Sequence, residues 1–313
     1  MGESLTRIIL DTDLAMGAPD SDVDDGFALA LAVADPELRL ELVTTVGGNT
    51  DVHTATDLSI DLLALLGRAD VPVAPGAAGP IDPALRRAGR DPVPPSGPRA
   101  AEQIVARVMA EPGELTIVAI GPLTNIALAL MLEPRVATAV REVVVMGGVF
   151  KEHTNVAGMP GEFNFWCDPD AAQAVLGSGA TLRLVGLDVT RRVRLTRPDA
   201  ARLAAGGEFG RLAARHTEHW ISHQERTMPG AAVEHDSCAL HDPLAVAVVT
   251  RPELVTWCDA YVAVETVGRI TRGVAVADLL MTDDPPKANS RIATEVDADA
   301  FRSLFLERLA ALP

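Results

Sequence analysis

The chain has 313 residues, 48% of them hydrophobic, and a formal net charge of −16. That length and apolar content suit a folded α/β chain and exclude intrinsic disorder, while the acidic surplus excludes a nucleic-acid polymer as partner, since its phosphates would be repelled. Three scattered cysteines, Cys167, Cys238 and Cys258, exclude a disulfide framework or a zinc knuckle and suit a reducing cytoplasm. No apolar run reaches membrane-spanning length and the start lacks a signal-peptide core, so the expectation is a cytoplasmic protein with no membrane partner.

The first predicted strand, "RIIL", runs into six aspartates, Asp11, Asp13, Asp20, Asp22, Asp24 and Asp25, before the apolar helix "DDGFALALAVAD". "LRLELVTTV" then leads to Gly47-Gly48-Asn49 and a helix over 51–66. A Pro/Gly/Arg-rich stretch over 75–98 reads as a loop or flap. "LTIVAI" leads to Gly121-Pro122 and a helix over 123–132, and "EVVVM" leads to Gly147-Gly148. In "GEFNFWCDPDAAQAVL", Glu162 and Asn164 alternate with Phe163 and Phe165, which predicts an extended segment with both polar groups on one side. Asp168 and Pro169 then read as cap and first residue of a helix over 169–176, and "LRLVGL" precedes Asp188. His216, His219, Trp220, His223 and Arg226 form a stripe at helical spacing, and "HDPLAVAVV" predicts a helix capped by Asp242 with Pro243 at its first position. Strand–helix alternation of this kind implies a single α/β domain over 1–313, with a mostly parallel central sheet flanked by helices. Parallel strands put all their carboxyl ends on one rim, so these scattered motifs converge on one site there.

Acidic residues in a first helical turn are ordinary, because they complement the helix dipole. Six beside one strand end need more than that. Hard oxygen ligands with no histidine or cysteine among them point to Ca²⁺ or Mg²⁺ and away from zinc. A carboxylate and an amide aimed together, as at Glu162 and Asn164, suit vicinal hydroxyls, each both donor and acceptor. His241, beside the cap residue, reads either as a plain loop residue or as a proton donor. His53, His153 and His235 read as structural or surface residues.

Taken together, "DTD…DVDDGFALALA", "TTVGGNT", "AIGPLTNIALAL", "VVVMGG", "GEFNFWCDPDAA" and "HDPLAVA" resemble, in this order, the inosine–uridine-type nucleoside hydrolases. The resemblance runs from Ile8 to about Val249 and implies that family's fold, with a Rossmann-like core. It also implies hydrolysis of the N-glycosidic bond of ribonucleosides to free base and ribose, by a calcium-held water with an aspartate base. Asp13, Asp25 and Asp242 resemble the metal carboxylates, and the carbonyl of Ile120 matches the family's carbonyl ligand. Asp24, Asn49, Asn155, Glu162 and Asn164 match the ribose-binding positions. Asp13 is the expected base and His241 the leaving-group acid, with His219 and His223 facing the nucleobase. A small-molecule nucleoside is the expected partner, and a homodimer or homotetramer the expected assembly.

Two departures from the family pattern stand out. "LAMGAPDSDV" lengthens the gap between Asp13 and Asp24, and the register is set on Asp24-Asp25 because the apolar helix starts directly after them. The flap region "LRRAGRDPVPPSGPRA" carries no histidine. Two competing readings remain. One is a Mg²⁺-dependent phosphohydrolase of the haloacid dehalogenase type, with Asp11 as nucleophile, Lys151 and a late Asp283-Asp284 pair. The other is a non-catalytic nucleoside- or ribose-binding protein.

Overall fold

The structure is a computed structural model and describes residues 5–82, 99–152, 158–228, 234–280 and 284–313. Most of the flap, together with His153, Asn155 and Asp283, lies outside the described residues. In chain order, β1 (Thr6–Thr12) leads to α1 (Asp24–Ala34), β2 (Leu38–Thr45) to α2 (Val52–Leu65), and β3 (Val73–Pro75) to α3 (Ala100–Ala110). β4 (Leu115–Ala119) is followed by α4 (Thr124–Leu132) and the single turn α5 (Val136–Ala139). β5 (Glu142–Met146) leads to α6 (Phe163–Cys167) and α7 (Pro169–Leu176), and β6 (Leu182–Val185) to α8 (Leu187–Thr190). β7 (Arg194–Thr196) precedes α9 (Arg197–Ala204) and the long α10 (Glu208–Thr227), and β8 (Ser237–Ala239) feeds α11 (His241–Thr250). Last come β9 (Val255–Ala260), β10 (Val262–Val264), β11 (Ala275–Ala277), β12 (Ser290–Val296) and α12 (Ala298–Leu309).

Eight strands form one sheet in the order β3-β2-β1-β4-β5-β6-β12-β9, parallel throughout except for β9. β7–β8 and β10–β11 are separate antiparallel pairs. The strands read as unbroken apolar runs because both faces are covered. On β1, Ile8 and Leu10 enter one core layer and Ile9 the other; on β5, Val144 and Met146 face the first layer, Val143 and Val145 the second. α1 is apolar almost all round because it is enclosed by the sheet, α11 and α12. Its Phe27 meets Phe209 of α10 and Phe305 of α12 edge-on, at centroid distances of 6.1 and 5.5 Å.

β1 lies between β2 and β4, so the chain winds away from it in both directions. The carboxyl ends of β1, β2 and β4 therefore flank the crevice at the topological switch point, where ligands enter such sheets. That crevice receives Asp13, Asn49 and Ile120 from three different strands.

Candidate active site

Asp11 and Asp13 come from the end of β1, Asp24 and Asp25 open α1, and Asp242 lies in the first turn of α11, which packs against α1. Carboxylate oxygens of Asp24, Asp25 and Asp242 lie within 4.8 Å of one another, and all three residues are buried. Asp13 stands beside them, fully buried. Its Oδ2 accepts the Asn49 backbone N–H at 2.6 Å, while its Oδ1 has no hydrogen-bond partner among the described residues. The glycines of "VGGNT" and "AIGP" allow this closeness: a Cβ at Gly48 would overlap Asp13 Oδ2, and one at Gly121 would lie 2.9 Å from Oδ1. Asp25 accepts from the Thr12 hydroxyl and from Asn49 Nδ2.

Burial dominates the electrostatics here. It raises Asp25 to about 6 despite the Thr12 and Asn49 hydrogen bonds. Burial, then repulsion from neighbouring carboxylates, lifts Asp13, Asp24 and Asp242 well above the usual carboxylate range. Asp11 is raised to about 7 by burial, although Thr44 and Asn125 donate to it. No arginine or lysine among the described residues pairs with any of the five. Buried like charges with an orphaned oxygen and no protein counter-ion are the arrangement a bound divalent cation neutralises, and oxygen-only donors suit calcium or magnesium. The donor set fits a cation.

The polar residues of the second half of the chain reach the same rim. Asn164 Nδ2 donates to the carbonyls of Ile120 at 2.9 Å and Met146 at 3.1 Å, placing it over the ends of β4 and β5. The expected extended segment is instead the short helix α6, with Glu162 as its N-cap. Glu162 accepts from the backbone N–H groups of Asn164, Phe165 and Gly148 at 2.7, 3.1 and 3.0 Å. The alternation with phenylalanine misleads because those amides, freed at a helix start, give the carboxylate more than an extended chain would. Both side chains are nonetheless buried together.

α11 also begins two residues earlier than expected: Leu240 is its N-cap and His241 its first residue. Asp242 thereby points its carboxylate at the cluster, and its N–H lies 3.4 Å from Asp24 Oδ2. His241 Nδ1 lies 2.8 Å from the Thr190 hydroxyl. Burial, then the charges of Arg191 and Arg194, lower the ring to about 4, so it is neutral at pH 7. His219 and His223 form the expected helical stripe on α10, but both face Asp20, whose Oδ1 lies 3.3 and 3.0 Å from their ring nitrogens. The inserted "LAMGAPDSDV" is thus held at two points, by Asp20 on α10 and by Met16 packed against Gly26 of α1.

Sequence reasoning misses Thr190, Asn125 and Thr12, and sets Asp188 at a strand end without giving it a role. Asp188 and Thr190 follow β6 directly, so the rule that strand ends line the rim is the signal that finds them. Asn125 ties Asp11 to the Ala77 N–H and the Thr45 carbonyl, a join between segments far apart in the chain that no local motif displays.

A mostly parallel sheet with a buried oxygen-donor cluster at its switch point defines an α/β enzyme of the metal-dependent kind. A family model described as "Inosine-uridine preferring nucleoside hydrolase" matches residues 8–303, and the chain belongs to that family. The chain is 37% identical to the "Non-specific ribonucleoside hydrolase RihC" of Salmonella agona (strain SL483), over 98% of each chain. Among solved structures it is similar to a plant nucleoside hydrolase, the PpNRh1 enzyme, with a TM-score of 0.84 and 28% identity over 98% of this chain and 99% of that one. It matches a purine-preferring ribonucleoside hydrolase from Gardnerella vaginalis equally well in shape, with a TM-score of 0.84 and 29% identity over 97% and 98%. The chain is accordingly a hydrolase of nucleosides. Among the described residues, no helix is long and apolar enough to cross a membrane.

Proposed function

We propose that this protein, working as one domain, hydrolyses the N-glycosidic bond of ribonucleosides to free base and ribose with the help of Ca²⁺. The observation that carries this reading is the buried set Asp13, Asp24, Asp25 and Asp242 at the switch point, with no arginine or lysine among the described residues paired with it. Asp13, Asp25, Asp242 and the Ile120 carbonyl would hold the ion, with Asp24 shared between it and the sugar. Calcium bound there would supply positive charge that lowers the pKa of a nearby water and favours ribose hydroxyls close to it.

The chain's own groups do the rest. Asp13 Oδ1, buried and without a hydrogen-bond partner among the described residues, takes the proton from the attacking water. Asn49, Asn155, Glu162 and Asn164 grip the ribose hydroxyls and favour the oxocarbenium-like sugar, whose positive charge the surrounding carboxylates stabilise. His241, neutral at pH 7, presents an N–H to the departing base; a neutral imidazole can stabilise developing negative charge in this way. His219 and His223, pinned by Asp20, border the base end. By resemblance to the family the protein is a homodimer or homotetramer, and its sparse cysteines suit a place in the reducing cytoplasm.

The test is a panel of purine and pyrimidine nucleosides, followed by release of free base, with protein stripped of metal and then supplied with Ca²⁺ or Mg²⁺. Calcium-dependent release of base is the expected result. Phosphate release from phosphorylated substrates with no free base would sink the reading in favour of a phosphohydrolase.

A further inference from the structure

We propose that Thr190 is a positioning residue for the hydrolysis, its hydroxyl donating to Nδ1 of His241 and leaving the ring proton on Nε2, the nitrogen that meets the departing base. This rests on the reading of His241 as the group that assists base departure.

Thr190 ends α8 and is fully buried, and its backbone N–H is already given to the Gly186 carbonyl. Among the described residues, Oγ1 has one hydrogen-bond partner, His241 Nδ1 at 2.8 Å. A buried hydroxyl that only accepts leaves its own proton unsatisfied, which is unfavourable. The hydroxyl therefore donates, Nδ1 is the bare nitrogen, and the neutral ring carries its proton on Nε2. Nε2 has no partner among the described residues, so it remains available to substrate. Arg191 and Arg194, the nearby cations, are engaged with Glu152 and with Ser237 and Glu234.

α8 is held firmly enough for this task. Asp188 accepts the backbone N–H groups of Phe150, Lys151 and Glu152 at 2.8, 2.8 and 2.9 Å, and the Leu187 N–H donates to the Gly148 carbonyl. Gly148 in turn donates its N–H to Glu162. One four-residue helix thus links the ribose-side carboxylate to the leaving-group histidine.

The experiment compares Thr190→Val, which keeps the shape, with Thr190→Ser, which keeps the hydroxyl. Both are assayed in the calcium-loaded enzyme on inosine, on uridine and on p-nitrophenyl riboside, whose leaving group departs without a proton. Thr190→Val should lower kcat on the nucleosides by roughly 10–100-fold, within the span of general-acid effects. It should leave p-nitrophenyl riboside within about twofold, and Thr190→Ser should recover most of the loss. Long-range proton–nitrogen spectra, with His241→Ala to assign the ring, should show the Nε2–H tautomer in the wild type. Equal slowing of all substrates by Thr190→Val, or an Nδ1–H tautomer in the wild type, overturns the inference alone if His241→Ala remains selective for the nucleosides. If His241→Ala itself slows all substrates equally, the leaving-group role falls, and this inference with it.

Discussion

Glu162 shows how one side chain can serve both fold and site. Its carboxylate caps α6 through two amides and holds Gly148 through a third, so little of its hydrogen-bonding capacity is free before substrate arrives. Glu162→Ala should therefore lower stability as well as turnover, by about 1–2 kcal/mol for a lost cap, a Tm fall of roughly 1.5–3 °C. Glu162→Gln keeps an acceptor oxygen and should lose less. Calorimetric melting of both variants checks this, and an unchanged Tm for the alanine variant would remove the cap from the account. Asp25 sits at the centre of the carboxylates, bonded to Thr12 and Asn49. Since removing even an outer-shell partner typically weakens metal binding by ~10–100-fold, Asp25→Ala should cost at least that much calcium affinity by titration calorimetry. Calcium affinity equal to wild type would refute the ligand assignment.

At the scale of elements, the rim is legible in the sequence because β-branched runs end abruptly at Asp11, Gly47, Gly121 and Gly147. A parallel sheet brings such ends together. The start of α1 at Asp24 is legible for the same local reason, an apolar run following two acids. α6 is not, because its cap is a glutamate, outside the usual serine, threonine, aspartate and asparagine pattern. The stripe on α10 is legible as spacing, whereas its partner Asp20 lies about 200 residues away and gives no local signal. The inserted loop before α1 is also docked by shape: an added Cβ at Gly26 would lie 2.6 Å from Met16 Cε and 2.8 Å from its Cβ. Alanine gains ~1 kcal/mol over glycine inside a helix, but overpacking costs ~1–3 kcal/mol, so Gly26→Ala should be net destabilising. It should also weaken calcium binding, because Asp24 and Asp25 are its immediate neighbours. Met16→Ala in the Gly26→Ala background removes the Cε and Sδ overlap but keeps the Cβ, so it should recover part of both losses, and a fully stable single variant would show that the loop does not rest on α1.

For the molecule as a whole, stability should depend on pH in a direction set by the carboxylate cluster. Asp11 and Asp22 are raised to about 7 and Asp25 to about 6, each mainly by burial, and Asp13, Asp24 and Asp242 are raised as well. Raised carboxylates mean that the folded chain holds more protons than the unfolded chain between the ordinary value of 3.8 and about 7. Their contribution is favourable at the acid end of that window and is lost as pH rises through it. Glu41 and Asp199 work in the opposite sense. Their partners Arg7 and Arg302 hold them below the usual range, so their support disappears only as pH falls below ordinary carboxylate values. Metal-free protein should thus melt at a higher temperature near pH 5 than near pH 8. Calcium binds the deprotonated cluster, so its affinity should grow over the same window. At a free concentration of 100 times Kd it would add about 2.7 kcal/mol. The rise in Tm on adding calcium to dialysed protein should therefore be small at pH 5 and several degrees larger at pH 8. A calcium shift of the same size at both pH values would mean that the buried aspartates are not the groups that take up the ion.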